Sequence, residues 1–252
     1  MKNATYVSIL IRVFISGTLI FFIGLIVGCA MTPQPSIDVF IEPVESSTHT
    51  SMNPETGAVT IVQKGVAVTI RPLDEVELFS LTENPRINPF IIVENNGNVN
   101  TIYTVFELVV HNLESSRVLV DESALLIDHG GSQYANLPYD YFKDLYQNID
   151  NDAQTAIPPR HHPYVRRHYP YYQTYLDLEA LKDGHAIVAD SLFESGKLFH
   201  GAKRSGYIVF DKLGLDTTDM HIIVPEVRIV VSENKQEKLK FKFDFRQVVA
   251  EK

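Results

Sequence analysis

Ile102-Tyr103-Thr104-Val105-Phe106-Glu107-Leu108-Val109-Val110-His111 decides the fold of this chain. Ile102, Thr104, Phe106, Leu108 and Val110 fall on one face of an extended backbone. Tyr103, Val105, Glu107, Val109 and His111 fall on the other. Period two, carried by β-branched and aromatic residues, predicts a central strand, and Asn112 ends it. Upstream, Val59/Ile61 and Val66/Val68/Ile70 alternate in the same way about a turn at Gly65, and Phe90–Val93 is a short apolar run. Downstream, Val118–Val120 and Ala124–Ile127 lead into the turn Asp128-His129-Gly130-Gly131 and then Gln133–Ala135. Tyr207–Phe210, His221–Val224 and Val227–Val231 continue the series, with Pro225 marking a bulge or an edge because it cannot donate to a ladder. In the last strand Leu239, Phe241, Phe243 and Phe245 share one face, and Lys238, Lys240, Lys242, Asp244 and Arg246 share the other. Many short strands with turns between them and little helix predict an all-β, antiparallel β-sandwich.

The N-terminal region is different. Lys2 and Arg12 precede a run of 19 uncharged residues, Val13 to Met31, and no acid occurs before Asp38. A basic start, an apolar stretch and small residues at a cleavage point form the pattern of a secretory signal. The tetrad Ile26-Val27-Gly28-Cys29 resembles the lipobox of bacterial lipoproteins, with Ile26 where leucine is usual. That resemblance implies that residues 1–28 are a signal peptide. It also implies that the Cys29 thiol carries diacylglycerol and that the new amine is acylated, with palmitate-like chains. Ala30 after the cysteine resembles outer-membrane sorting. A spanning helix needs roughly 20 apolar residues, so an uncleaved anchor is the alternative. Either way the positive-inside rule puts the body outside the cytoplasm.

Lys2 and Arg12 are the only charges in residues 1–28. Without them the net charge of −9 becomes −11 over the remaining 224 of 252 residues. Such a charge argues against a nucleic-acid partner. Residues 29–57, with Pro33, Pro35, Pro43, Pro54 and the polar run Ser46–Ser51, read as a flexible tether that holds the domain away from a bilayer, with a short extended segment at Ile37–Ile41. The body then spans residues 58–250.

Tyr103-Thr104-x-Phe106-x-Leu108-x-Val110-x-Asn112, Asp128-x-x-Gly131-x-x-Tyr134 and Gly201 through Gly206-Tyr207-x-x-Phe210 resemble immunoglobulin-like domains of unknown function carried by bacterial lipoproteins. The resemblance covers residues 58–135 and 187–248 and implies an extracytoplasmic immunoglobulin-like sandwich. It does not extend to the middle of the chain, a partly helical, mostly irregular insertion at about residues 136–186. There, Asn136 as cap and Pro138 in the first turn predict a helix to Asp144. Tyr175–Asp183 predicts another, stopped by Gly184.

Between those helices lies a basic, aromatic island: Arg160, His161, His162, Tyr164, Arg166, Arg167, His168, Tyr169, Tyr171 and Tyr172. Three readings are open. The tyrosines pack on the sandwich while the arginines pair with its acids. Alternatively the island is a recognition loop for an envelope protein or an anionic glycan, since Tyr and Arg dominate interface hot spots. As a metal site, His162 and His168 reach one ion but lack a completing Cys or acid.

Elsewhere His111 reads as a strand residue and His129 as a turn residue. Glu194 and His200 have no recognisable nucleophile beside them, and Ser191, Ser195 and Ser205 sit in no Gly-x-Ser-x-Gly elbow. The expected function is a membrane-anchored envelope lipoprotein acting as a non-catalytic interaction or structural module, with no cofactor. A hydrolase or metal-dependent envelope enzyme using the island is the rival.

Overall fold

A computed structural model describes residues 37–48, 50–84, 87–93, 97–144, 178–232 and 235–251. The chain divides into two compact units, Met1–Asp38 with Ala250–Lys252, and Val39–Val249. The fold below is that of the second. Cys29 and all of Arg160–Tyr172 lie outside the described residues.

The strands are β1 Ile37–Pro43, β2 Ser51–Asn53, β3 Ala58–Gln63, β4 Val66–Pro72, β5 Ile91–Val93, β6 Val99–Thr101, β7 Tyr103–Asn112, β8 Arg117–Val120, β9 Leu125–Asp128, β10 Gln133–Ala135, β11 Gly196–Phe199, β12 Lys203–Asp211, β13 Asp219–Ser232 and β14 Lys235–Glu251. Helix α1 is Glu75–Phe79, residues 139–144 form α2, and α3 is Leu178–Ser191. One sheet runs β1-β14-β13-β8-β11, with β9 beside β13 and β10 beside β9. A second runs β12-β7-β4-β3-β2, and β5-β6 is a separate ribbon. The chain is therefore mostly β, built of antiparallel sheets.

Alternation along each strand puts the inner faces of both large sheets into one core. Phe106, Leu108 and Val110 of β7 join Val59, Ile61, Val66, Val68 and Ile70 from one sheet. Phe241, Phe243, Phe245, Ile222 and Val227 come from the other. Phe106 and Phe245 meet across the layers at 5.5 Å between ring centroids. Burial at this depth contributes about 1.5–3 kcal/mol per large side chain, which makes this core the main source of stability. Buried Asn112 closes β7: its amide donates to the carbonyls of Ser115 (2.8 Å) and Leu198 (3.1 Å) and accepts from the Ser115 N–H (2.9 Å). The β3–β4 hairpin turns through Lys64 (φ 49°) and Gly65 (φ 73°), and two successive left-handed residues are what a tight two-residue hairpin requires.

Several sequence expectations change in detail. His221–Val224 and Val227–Val231 are one strand, β13, whose register against β14 shifts between Val224 and Val227. On its other side β13 pairs with β9 through residues 220–223 and with β8 through residues 227–229. Pro225 sits where the partner strand changes, so its missing N–H leaves no ladder bond unmade.

Order also begins before residue 58. Ile37–Pro43 forms β1 beside β14, with Ile41 packed against the main core, and Ser51–Asn53 pairs with β3. Joining an existing sheet supplies hydrogen-bond partners that a free proline- and serine-rich segment lacks.

Asn136 does not cap a helix. Its side chain accepts from Ala124 N–H at 2.7 Å and donates to the Glu122 carbonyl at 3.1 Å, tying the chain back to the β8–β9 connection. Gly184 does not stop a helix either. It lies buried inside α3, one turn before fully buried Val188. Helix α1 was not anticipated. Asp74 caps it, accepting from Glu77 N–H at 2.7 Å while the Glu77 carboxylate accepts from Asp74 N–H, a complete capping box.

Candidate functional site

The outer face of β7 and β12 carries a second core. Tyr103, Val105 and Val209 point away from the main core and are covered by Leu78 of α1, Phe90, Ile91 of β5, Phe142 of α2 and Val188 of α3. The cover is aromatic and specific. Phe142 meets Tyr103 at 5.6 Å, Phe90 at 6.2 Å and Tyr141 at 5.2 Å, each edge to face. Both ends of the 145–177 segment, α2 before it and α3 after it, are thus fixed to one sheet face by side chains with no exposed surface. The two helices also touch each other, since Tyr139 Oη lies 2.8 Å from His185 Nε2 with the rings 5.3 Å apart. The β12 edge is bridged beside them, with Leu137 N–H donating to Val209 O and Phe193 N–H to Tyr207 O.

A polar cluster borders this core. Arg71 on β4 bonds Glu107 of β7 at 3.0 Å and also pairs with Glu77 of α1. Burial lowers the affinity of the Arg71 guanidinium for its proton, but the two carboxylates more than offset that and hold it above its usual range. Next to it, burial pushes the Tyr207 phenol up, Glu107 and Glu77 add to that, and Arg71 opposes them. Two carboxylates locked onto one arginine form a structural clamp between α1 and the sheet.

A second feature is an open cleft of about 530 Å³ lined by Glu45, Ser46, Ser47, Thr50, Ser51 and Met52. Beside it His221 Nδ1 lies 2.6 Å from Asp244 Oδ1, on facing positions of β13 and β14. Burial pushes the Asp244 carboxyl up. A hydrogen bond from Ser46, the Lys242 charge and His221 outweigh it and bring the group below the usual carboxylate range. Acyl transfer of the serine–histidine–acid kind needs the imidazole between hydroxyl and carboxylate. Here the carboxylate stands between Ser46 and His221, which is not the order of that triad.

His111 is a β7 residue facing Lys203 and Ala67, and His129 is in the β9–β10 turn, as the sequence predicts. The carbonyls of Glu194 and Ser195 accept from Arg204, which fixes the approach to β11. Ser191 ends α3, and Ser205 lies on β12 opposite Val109. Among the described residues no three His, Cys, Asp or Glu side chains converge as a metal site would require, and no helix is long and apolar enough to cross a membrane. The His221–Asp244 pair was not foreseen. Its members are 23 positions apart, and only the hairpin register brings them together.

No protein-family model, curated protein or solved structure matches the chain.

Proposed function

We propose that this chain is a membrane-anchored lipoprotein of the bacterial cell envelope. In this reading an immunoglobulin-like β-sandwich presents the 145–177 segment as a non-catalytic contact surface. The observation that carries the reading is the rooting of that segment. Its two ends leave from helices whose Phe142 and Val188 are fully buried on the outer face of β7 and β12. A rigid sheet holding both ends of a segment rich in Arg and Tyr is how recognition loops are usually mounted. Two antiparallel sheets with one shared core support the sandwich, and the Ile26–Cys29 tetrad supports the anchor. The acidic body needs such an anchor to stay at a membrane, and several acyl chains hold where one is marginal.

Deleting Ile157–Tyr172 removes the island and leaves α2 and α3 in place. Far-ultraviolet circular dichroism and the melting temperature are expected to stay close to those of the full chain, while cross-links to other envelope components disappear. Retention of every cross-link by the deletion variant would take the segment out of the account.

A further inference from the structure

The outer face of the larger sheet carries a row of cations with few acids. Val118, Val120, Leu198, Val227, Ile229 and Leu239 point into the main core. Their neighbours in the alternation therefore point to the opposite face. The strand register aligns Lys197 of β11 with Leu119 of β8, Leu119 with Arg228 of β13, and Arg228 with Lys238 of β14. The row crosses four adjacent strands, about 14–15 Å at the usual strand spacing. One step along, Arg117 of β8 pairs with Phe199 of β11, which is 63% exposed.

The hydrogen bonding of these residues is incomplete. Arg228 and Lys238 share the carboxylate of Glu226. Among the described residues Lys197 has no ion pair. Among the described residues the Arg117 side chain has neither a hydrogen bond nor an ion pair, and its Nε is buried; Arg228 Nε is buried too and faces Glu226 Oε2 at 3.7 Å, an ion pair without a hydrogen bond. Buried guanidinium N–H groups without acceptors are costly, and a chain with net charge −9 has acids to spare for them. Two guanidinium groups and two ammonium groups on one sheet face match an anion with several oxygens and more than one charge.

We propose that this face is a binding site for a phosphate-bearing ligand. Arg117 and Arg228 supply planar donors to the phosphate oxygens, and Lys197 and Lys238 supply charge. The site is separate from the 145–177 segment, and it lies about 20 Å along β14 from Asp244 and the cleft. It therefore stands or falls independently of the functional reading above.

The test uses the full chain in a neutral maltoside detergent, titrated by calorimetry with inorganic tripolyphosphate and, separately, with mixed micelles carrying phosphatidylglycerol. The comparison is the double variant Arg117→Gln/Lys197→Gln. Among the described residues neither side chain has a hydrogen bond or ion pair to lose, so the melting temperature is expected to match that of the parent. Saturable tripolyphosphate binding that weakens on the order of tenfold or more in the double variant supports the site and places its ligand in solution. A response to the micelles alone, lost in the same variant, supports it and places the phosphate on a lipid. Arg117→Lys keeps the charge but not the planar donors, and an intermediate loss is expected. No response to either probe, or equal affinity in parent and double variant, overturns the proposal.

Discussion

Replacing Phe142 with alanine tests whether the ends of the 145–177 segment are built into the fold. Phe142 has no exposed surface, and three rings surround it. Tyr103 belongs to β7 and Phe90 packs against Tyr207 of β12, so neither can move far to fill the space. A phenylalanine-to-alanine change at a site that cannot collapse costs roughly 3–5 kcal/mol. The loss falls on the second core, and the inner faces of the two large sheets are untouched. Native-state hydrogen exchange read residue by residue is the assay. Amides of α3 and of the Phe193–Tyr207 bridge are expected to lose protection, while those of Phe241 and Phe243 in β14 keep theirs. Tyr139→Phe, which removes only the contact to His185, is expected to change stability by about 1 kcal/mol or less. Equal loss of protection in β14 and α3, or no loss in either, would refute the division into two cores.

Asp244→Asn removes a carboxylate whose folded-state pKa is depressed. Such a group stabilises the fold above its unfolded pKa and loses that effect as pH falls through the lower folded value. The variant is expected to melt earlier than the parent at pH 7, by an effect of ~1 kcal/mol or less, and the difference should shrink below about pH 4. A gap that widens on acidification would contradict the assignment. At Gly206 an added Cβ would lie 2.5 Å from Phe193 Cα and 2.6 Å from Phe193 N, both backbone atoms. Gly206→Ala is therefore expected to cost roughly 1–3 kcal/mol in chemical denaturation, by forcing residues 192–193 off the β12 edge.

Period two made most of the strands legible. β7 and β14 show it most clearly, because Phe106, Leu108 and Val110 of one and Leu239, Phe241, Phe243 and Phe245 of the other share a buried face. Register was not legible, and so neither was the His221–Asp244 pair, the single strand β13, or the Lys197–Leu119–Arg228–Lys238 row. Each depends on which residues face one another across strands far apart in sequence. The second core was half visible. Tyr103 and Val105 lie on the second face of β7, yet only the fold shows that α2 and α3 return to cover them. The helix starting at Asp74 carried its signal openly, an acid three residues before Glu77, but the segment is too short for apolar periodicity to stand out. Gly184, Pro43 and Pro54 misled for one reason. Local breakers were weighed without the neighbouring sheet that offsets their cost. The proposed contact residues Arg160–Tyr172 and the proposed lipid site Cys29 rest on sequence alone.

We propose that acyl chains on Cys29 hold this sheet-built body at a membrane. The most direct measurement is the intact mass of the protein recovered from bacterial membranes, with Cys29→Ala as its comparison. A chain that begins at Cys29 and carries the added mass of diacylglycerol and an N-acyl group, with the Cys29→Ala chain unmodified, is the expected result. A chain that retains residues 1–28 with an unmodified thiol would contradict the account.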